Sequence, residues 1–343
     1  MVLESTMADT RKKRVVVVGG GTGTHTVLSG LKHFLDIDLH AVVAMTDSGG
    51  STGRLRDEFG YLPVGDVRMA LAALARDHGA HDQLLRKLFL HRFATSGTTS
   101  GHNFGNLFLM ALTDILGSED AAIEAAARVL RVSGTVIPVT SEKTHLVATY
   151  DDGSVVVGEH EIDEPSETKQ RSITSLGITP HAAINEKAAD ALIQADCIIF
   201  GPGDLYTSVL ANCVIPGFRE AVEKSPATVV YVSNLMTKRG QTDGFGLKGH
   251  VSELSKYIGR IPDHVVMNAE ELPKELLERY AAEGEHPVSL DECPSEAILI
   301  HEDLLASETV APPSGDTLRR SLIRHDPEKL ACTLYGIISG THR

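Results

Sequence analysis

Val15-Val16-Val17-Val18-Gly19-Gly20-Gly21-Thr22-Gly23 is the stretch that decides the fold. Four β-branched residues in a row, with no polar alternation, suit a strand covered on both faces, as in a parallel sheet. The glycines that cut the run off mark a tight turn, and apolar spacing from Thr26 to Phe34 predicts a short helix after it. Strand, glycine turn and helix together are the opening unit of an α/β fold whose turn backbone is free to approach an anion.

Outward from this unit the alternation continues. Leu39 to Met45 is a second apolar run, followed by a Gly-rich loop at Ser48 to Gly53. Val67 to Ala75, Gln83 to Phe93, Leu107 to Leu116 and Ala121 to Leu130 carry helical spacing. Short β-type runs at Val136 to Val139, His145 to Tyr150 and Ser154 to Val157, the last two joined by the turn signal Asp151-Asp152-Gly153, predict a β-rich insertion at about 134–175. Glu164 to Pro180 reads as a polar connection. The pattern resumes with a helix from about Ile184 to Gln194 and strands at Cys197 to Phe200, Thr228 to Val232, His264 to Met267 and Ala297 to Ile300. Asp326-Pro327 caps a final helix to Ile338. The expectation is an α/β, mainly parallel sheet with helices on both faces: residues 13–343 form one domain, and residues 1–12 a disordered extension.

In such a sheet, loops at the carboxyl ends of the strands converge on one crevice. Gly20, Gly21, Thr22 and Gly23 would offer backbone N–H groups to a phosphate, though without the third glycine of a dinucleotide fingerprint or the lysine of a P-loop. Asp47 stands where a carboxylate takes ribose hydroxyls or Mg²⁺. Ser48, Gly49, Gly50, Ser51, Arg54 and Arg56 add a donor-rich loop, and an ion pair of either arginine with Asp57 or Glu58 is the competing reading. Asp66 in Gly65-Asp66-Val67-Arg68 reads equally as a helix N-cap and as a ligand group, with Arg68 beside it. His102, Asn103 and Asn106 cluster at another helix start. Gly201, Pro202, Gly203, Asp204, Tyr206 and Thr207 repeat the strand-to-helix glycine loop, and Asn234 and Thr237 would face a base or sugar.

Composition narrows the partners. The 343 residues carry a net charge of −14, which repels nucleic-acid backbones and anionic membranes, so neither is an expected partner. The basic run Arg11-Lys12-Lys13-Arg14 leads directly into the first strand and reads as a solvated strand start. No apolar stretch has the length of a membrane span, and the expected location is the cytoplasm. Four widely spaced cysteines fit free buried thiols; the tightest histidine group is His78, His81 and His91, and the His78–His81 spacing in the polar stretch Asp77 to Asp82 reads as an exposed interhelical loop rather than a metal site. A homodimer is the default assembly.

Taken in order, the glycine loop at 19–23, Asp47-Ser48-Gly49-Gly50-Ser51-Thr52-Gly53-Arg54-Leu55-Arg56, Gly65-Asp66-Val67-Arg68, Gly101-His102-Asn103-Phe104-Gly105-Asn106, Gly201 to Ser208, Asn234-Leu235-Met236-Thr237 and Thr242-Asp243-Gly244 resemble the bacterial gluconeogenesis factor family. That family sits with the 2-phospho-L-lactate transferases on a Rossmann-like core. The resemblance covers nearly the whole chain. It implies a cytoplasmic factor for gluconeogenic growth and cell shape that binds UDP-sugars such as UDP-N-acetylglucosamine, with no certain cofactor. Many relatives have paired Asp residues where this chain has Asp47-Ser48, Asn in place of Met69 and Glu in place of Gln241. Two other functions fit the residues: a transferase moving a phosphorylated small acid to or from a nucleotide, with Mg²⁺ on Asp47 and Asp66, and an NAD-dependent oxidoreductase.

Overall fold

A computed structural model describes residues 11–59, 61–93, 101–164, 171–307 and 322–342. The first strand, β1 (Lys13–Gly19), has Val15 to Val18 fully buried, as an uninterrupted valine run requires. It is followed by α1 (Gly21–Leu31), β2 (Ile37–Val43), α2 (Gly50–Phe59), α3 (Gly65–Leu74), α4 (Gly79–Leu90), α5 (Phe104–Leu116) and α6 (Glu119–Val129). Then come β3 (Thr135–Pro138), β4 (His145–Tyr150), β5 (Val155–Val157), α7 (Glu159–Asp163), β6 (Ile173–Thr179), α8 (Glu186–Ile193) and β7 (Cys197–Phe200). A π-helical segment, Leu205–Leu210, runs into α9 (Ala211–Cys213). The chain continues through α10 (Phe218–Lys224), β8 (Thr228–Val232), α11 (Leu247–Ile258), β9 (His264–Asn268), α12 (Lys274–Ala282), β10 (Ile298–Glu302) and α13 (Pro327–Ser339).

Seven strands form one parallel sheet in the order β10-β9-β8-β7-β1-β2-β3, wrapped by helices. The chain moves outward from β1 to β2 and β3, then returns to the other side of β1 and proceeds from β7 to β10. The order therefore reverses between β1 and β7, where Val15 pairs with Cys197 on one side and with Leu39 on the other. In an open α/β sheet such a reversal leaves a crevice above the strand ends. The remaining strands form a separate antiparallel sheet, β5-β4-β6.

Several local expectations are corrected. α1 begins at Gly21 inside the glycine run, not at Thr26, because packing outweighs the low helix propensity of glycine. Thr24, Val27, Leu28 and Leu31 are buried, and Gly30 lets α13 approach so closely that a Cβ there would lie 2.2 Å from Pro327 O. The loop expected at 48–53 becomes α2 from Gly50 onward. The polar connection 164–180 contains β6, which pairs along β4. His81 and Asp82 lie in the first turn of α4, not in a loop. Of the cysteines only Cys197 and Cys213 are buried, and Cys332 is exposed. In the basic run, Arg11 pairs with Asp196 and Arg14 donates to Gln194, which ties the start of β1 to the α8–β7 turn. Of the expected disordered extension, residues 1–10 fall outside the described part. The expected insertion at 134–175 supplies β3 to the main sheet, and its antiparallel strands extend to Thr179.

Candidate ligand-binding cleft

The two glycine loops meet at the reversal. β1 ends at Gly19, Gly20 takes the N-cap position of α1 in an extended conformation, and no side chain caps that helix. Its first-turn N–H groups are thus left for a ligand, apart from Gly21 N, which donates to Asp66 Oδ1 at 2.8 Å. The second loop passes directly over the first. A Cβ on Gly23 would lie 2.0 Å from Pro202 O, so only glycine permits this approach. Gly201 adopts φ +76° and Gly203 φ +157°, and the Gly201–Pro202 peptide is cis. Asn234, after β8, donates from Nδ2 to Gly203 O at 2.8 Å and holds the second loop against the third.

Between these loops lies a cleft of about 350 Å³. Gly20 to Gly23, Pro202, Gly203, Asp204, Asn234 and Thr237 line it. The opposite wall was not foreseen: Asp163, Lys238, Arg279, Tyr280, Glu285, Arg324 and His325 come from separate stretches of chain. Lys238 Nζ lies 3.3 Å from Asp163 Oδ2 and 3.6 Å from Asp204 Oδ2, and both carboxylates hold its pKa above the ordinary lysine value despite burial. Asp163 Oδ1 also accepts from Gln241 Nε2 at 2.9 Å and from Thr207 Oγ1 at 3.2 Å. Tyr280 Oη accepts from Leu322 N at 2.8 Å and fixes the segment that carries Arg324 and His325. His325 is buried, which lowers its pKa to about 4, so it is neutral at pH 7, and its Nε2 has no partner.

Other expected site residues lie behind the glycine loops. Asp66 sits in the first turn of α3, whose N-cap is Val64, so the capping reading fails. Its carboxylate presses on Gly20, where a Cβ would stand 2.2 Å from Oδ2, and Asp47 Oδ2 presses likewise on Gly65 at 2.3 Å. Asp66 keeps some contact with water, yet desolvation, then the charge of Asp47, raise its pKa to about 7. Glu159, from α7, joins this group: it is raised by burial and then by Asp47, and its Oε2 accepts from Ser48 N at 3.4 Å. Ser48 Oγ in turn accepts from His160 N at 2.9 Å.

The α2, α3 and α5 residues make a buried polar cluster that does not line the cleft. His102 Nδ1 lies 3.2 Å from Ser51 Oγ, Arg68 Nε donates to Asn106 Oδ1 at 2.9 Å, and Asn103 caps α5 by accepting from Gly105 N. Tyr206 is buried, with Glu253 near its hydroxyl. Exposed Arg54 approaches Gly101. The side chains of Arg56, Asp57 and Glu58, and the surroundings of Gly50, lie outside the described part.

Asp47 and Asp66 fit a divalent cation of limited protein coordination. Each accepts at one oxygen from a backbone N–H, of Gly49 and Gly21 respectively, which fixes the direction of the carboxylate. Among the described residues no group of three or more His, Cys, Asp or Glu could hold a metal, so a cation here would need ligand oxygens, the usual situation of Mg²⁺ beside phosphates.

The class this geometry defines is a Rossmann-like α/β protein with a glycine-lined cleft at the reversal of a parallel sheet. Residues 15–305 match the family described as 2-phospho-L-lactate transferase CofD, and the chain belongs to that family. It is 41% identical over 318 residues to the "Putative gluconeogenesis factor" of Thermotoga maritima, spanning 93% of this chain and 97% of that one. It is 36% identical over 330 residues to the "Gluconeogenesis factor" of Bacillus subtilis, spanning 96% and 99%. A crystal structure of a upf0052 family protein from Bacillus halodurans superposes with a TM-score of 0.85 at 34% identity, covering 95% of this chain and all of that one. No helix among the described residues is long and apolar enough to cross a membrane.

Proposed function

We propose that this protein is a cytoplasmic factor that binds a nucleotide-sugar of the UDP-N-acetylglucosamine kind and regulates gluconeogenic growth and cell shape. The observation that carries the binding is the meeting of the uncapped α1 N-terminus with the Gly201–Asp204 loop across one cleft, opposite Lys238, Arg279 and Arg324. Backbone N–H groups at a helix start and guanidinium groups are two common ways a protein holds phosphate. The gluconeogenesis role is taken from the names of the relatives. Titration calorimetry with UDP-N-acetylglucosamine tests the reading: saturable binding without conversion of the ligand is expected, and absence of binding with or without Mg²⁺ sinks it.

One observation favours a second reading, transferase chemistry on a phosphorylated small acid. Asp47 and Asp66 lie close enough for the charge of one to help raise the other to about 7, an arrangement that a cation relieves. Asp47 and Asp66 would hold Mg²⁺, which when bound supplies positive charge to ligand phosphates. The chain's own part is to present the backbone N–H groups of Thr22 and Gly23 and to keep the two glycine loops at a fixed distance. Mg²⁺-dependent product formation lost in Asp47→Asn would support transfer, and no product from any nucleotide-linked donor would exclude it.

A further inference from the structure

A second hollow of about 470 Å³ lies beside the first, beyond the end of β9. α12 divides the two, with Arg279 and Tyr280 toward the first and Lys274 and Leu277 toward the second. They are continuous at Asn234 and Leu235, which line both. Hollows of this size fall within the roughly 300–1,000 Å³ typical of small-molecule sites.

We propose that this second hollow receives the nucleoside end of the ligand whose phosphates occupy the first, an assignment that rests on the nucleotide-binding reading above. Three features argue for it. Leu277, Pro287 and Val288 give the hollow apolar walls suited to the faces of a base. Glu270 and Glu271 are exposed at its edge just past the end of β9, where a carboxylate can accept from ribose hydroxyls, and they outweigh the ammonium of Lys274 and disfavour phosphate. Finally, Asn234, on the boundary, has an unsatisfied acceptor. Its Nδ2 must face Gly203 O, since the flipped amide would set oxygen against oxygen, and this leaves Oδ1 enclosed without a donor. A base edge bearing an N–H group supplies one.

Titration calorimetry on the full chain, with pyrophosphate, UDP, 2′,3′-dideoxy-UDP and UDP-N-acetylglucosamine as probes, tests the assignment. Leu277→Trp, which fills the hollow, is expected to weaken UDP and UDP-N-acetylglucosamine at least about tenfold and leave pyrophosphate unchanged. Glu270→Gln combined with Glu271→Gln, on exposed side chains that do not threaten folding, is expected to weaken UDP severalfold and leave dideoxy-UDP unchanged. Equal losses for both probes in each pair, or no loss in either variant, overturn the assignment. Wild-type protein that binds neither UDP nor UDP-N-acetylglucosamine overturns the nucleotide reading itself, whereas tight wild-type binding indifferent to both variants removes only the second hollow.

Discussion

The carboxyl group of Asp66 is wedged between Gly20, the Gly21 N–H and a second carboxylate, and the place resists its charge. Its pKa rises from 3.8 to about 7, so between those values the folded protein holds a proton that the unfolded chain has released. Stability then falls as pH rises through this window, by at most on the order of 4 kcal/mol, and the penalty is complete above about pH 7. Asp66→Asn keeps an oxygen to accept from Gly21 N but cannot ionise. Calorimetric melting in the presence of a chelator should show the wild-type midpoint dropping between about pH 4 and 7 more steeply than that of the variant; parallel curves would refute the assignment. Gly23 is constrained by space instead. Gly23→Ala forces a Cβ to 2.0 Å from Pro202 O, and the loops must part. A cost of about 1–3 kcal/mol is expected, together with loss of UDP-N-acetylglucosamine binding, read by denaturant unfolding and calorimetry.

At the scale of elements, α12 is the piece that turns a glycine crevice into a walled cleft. Tyr280 Oη accepts from the backbone N–H groups of Leu322 and Ile323 and thereby holds Arg324 and His325 on the rim. Tyr280→Phe leaves those donors unpaired. It should cost about 1 kcal/mol of stability, raise hydrogen exchange at Leu322 and Ile323, and weaken UDP-N-acetylglucosamine severalfold; unchanged exchange would show that the tether carries nothing. This wall was invisible in the sequence, because residues 163, 238, 279–280 and 324–325 share no spacing and meet only when β8, β9 and α13 are in place. The floor was legible, since Val15 to Val18 and Cys197 to Phe200 are uninterrupted apolar runs and each glycine loop is contiguous. α11 is legible too, since Leu247, Val251, Leu254 and Ile258 repeat at helical spacing, although it is absent from the expected elements. Likewise, the polar groups of Asn103, Asn106 and Tyr206 looked like ligand contacts, whereas the structure uses Asn103 in a helix cap, Asn106 in a buried hydrogen bond with Arg68, and buries Tyr206. A sequence motif shows which polar groups gather at a helix start, not which way they turn.

Across the whole molecule, the antiparallel β5-β4-β6 sheet is bound to the parallel sheet through the cleft. α7, between β5 and β6, delivers Glu159 beside Asp47 and Asp163 beside Lys238. Asp163 is the hub, bonded to Thr207 from the Gly201 loop and to Lys238 and Gln241 from the stretch after β8. Lys238 is about one-fifth exposed, so its pairing with Asp163 and Asp204 is neither a weak surface contact nor a sealed one. Removing the ammonium leaves two carboxylates facing each other at low hydration, and this unpaired charge, more than the lost attraction, sets the cost. Lys238→Met should therefore destabilise the protein by about 1–3 kcal/mol, a discount from the fully buried case because water still reaches the pair. Asp163→Asn placed in the same chain should recover part of that loss, since the amide can still accept from Gln241 and Thr207 while removing one repelling charge. A double-mutant cycle from urea unfolding measures the coupling. A strongly non-additive result means that the small sheet and the ligand loops fold as one cooperative unit joined at this lysine. Additive losses would instead mean that α7 packs there without electrostatic linkage, and the route from the small sheet to the cleft would have to run through Glu159 and Ser48.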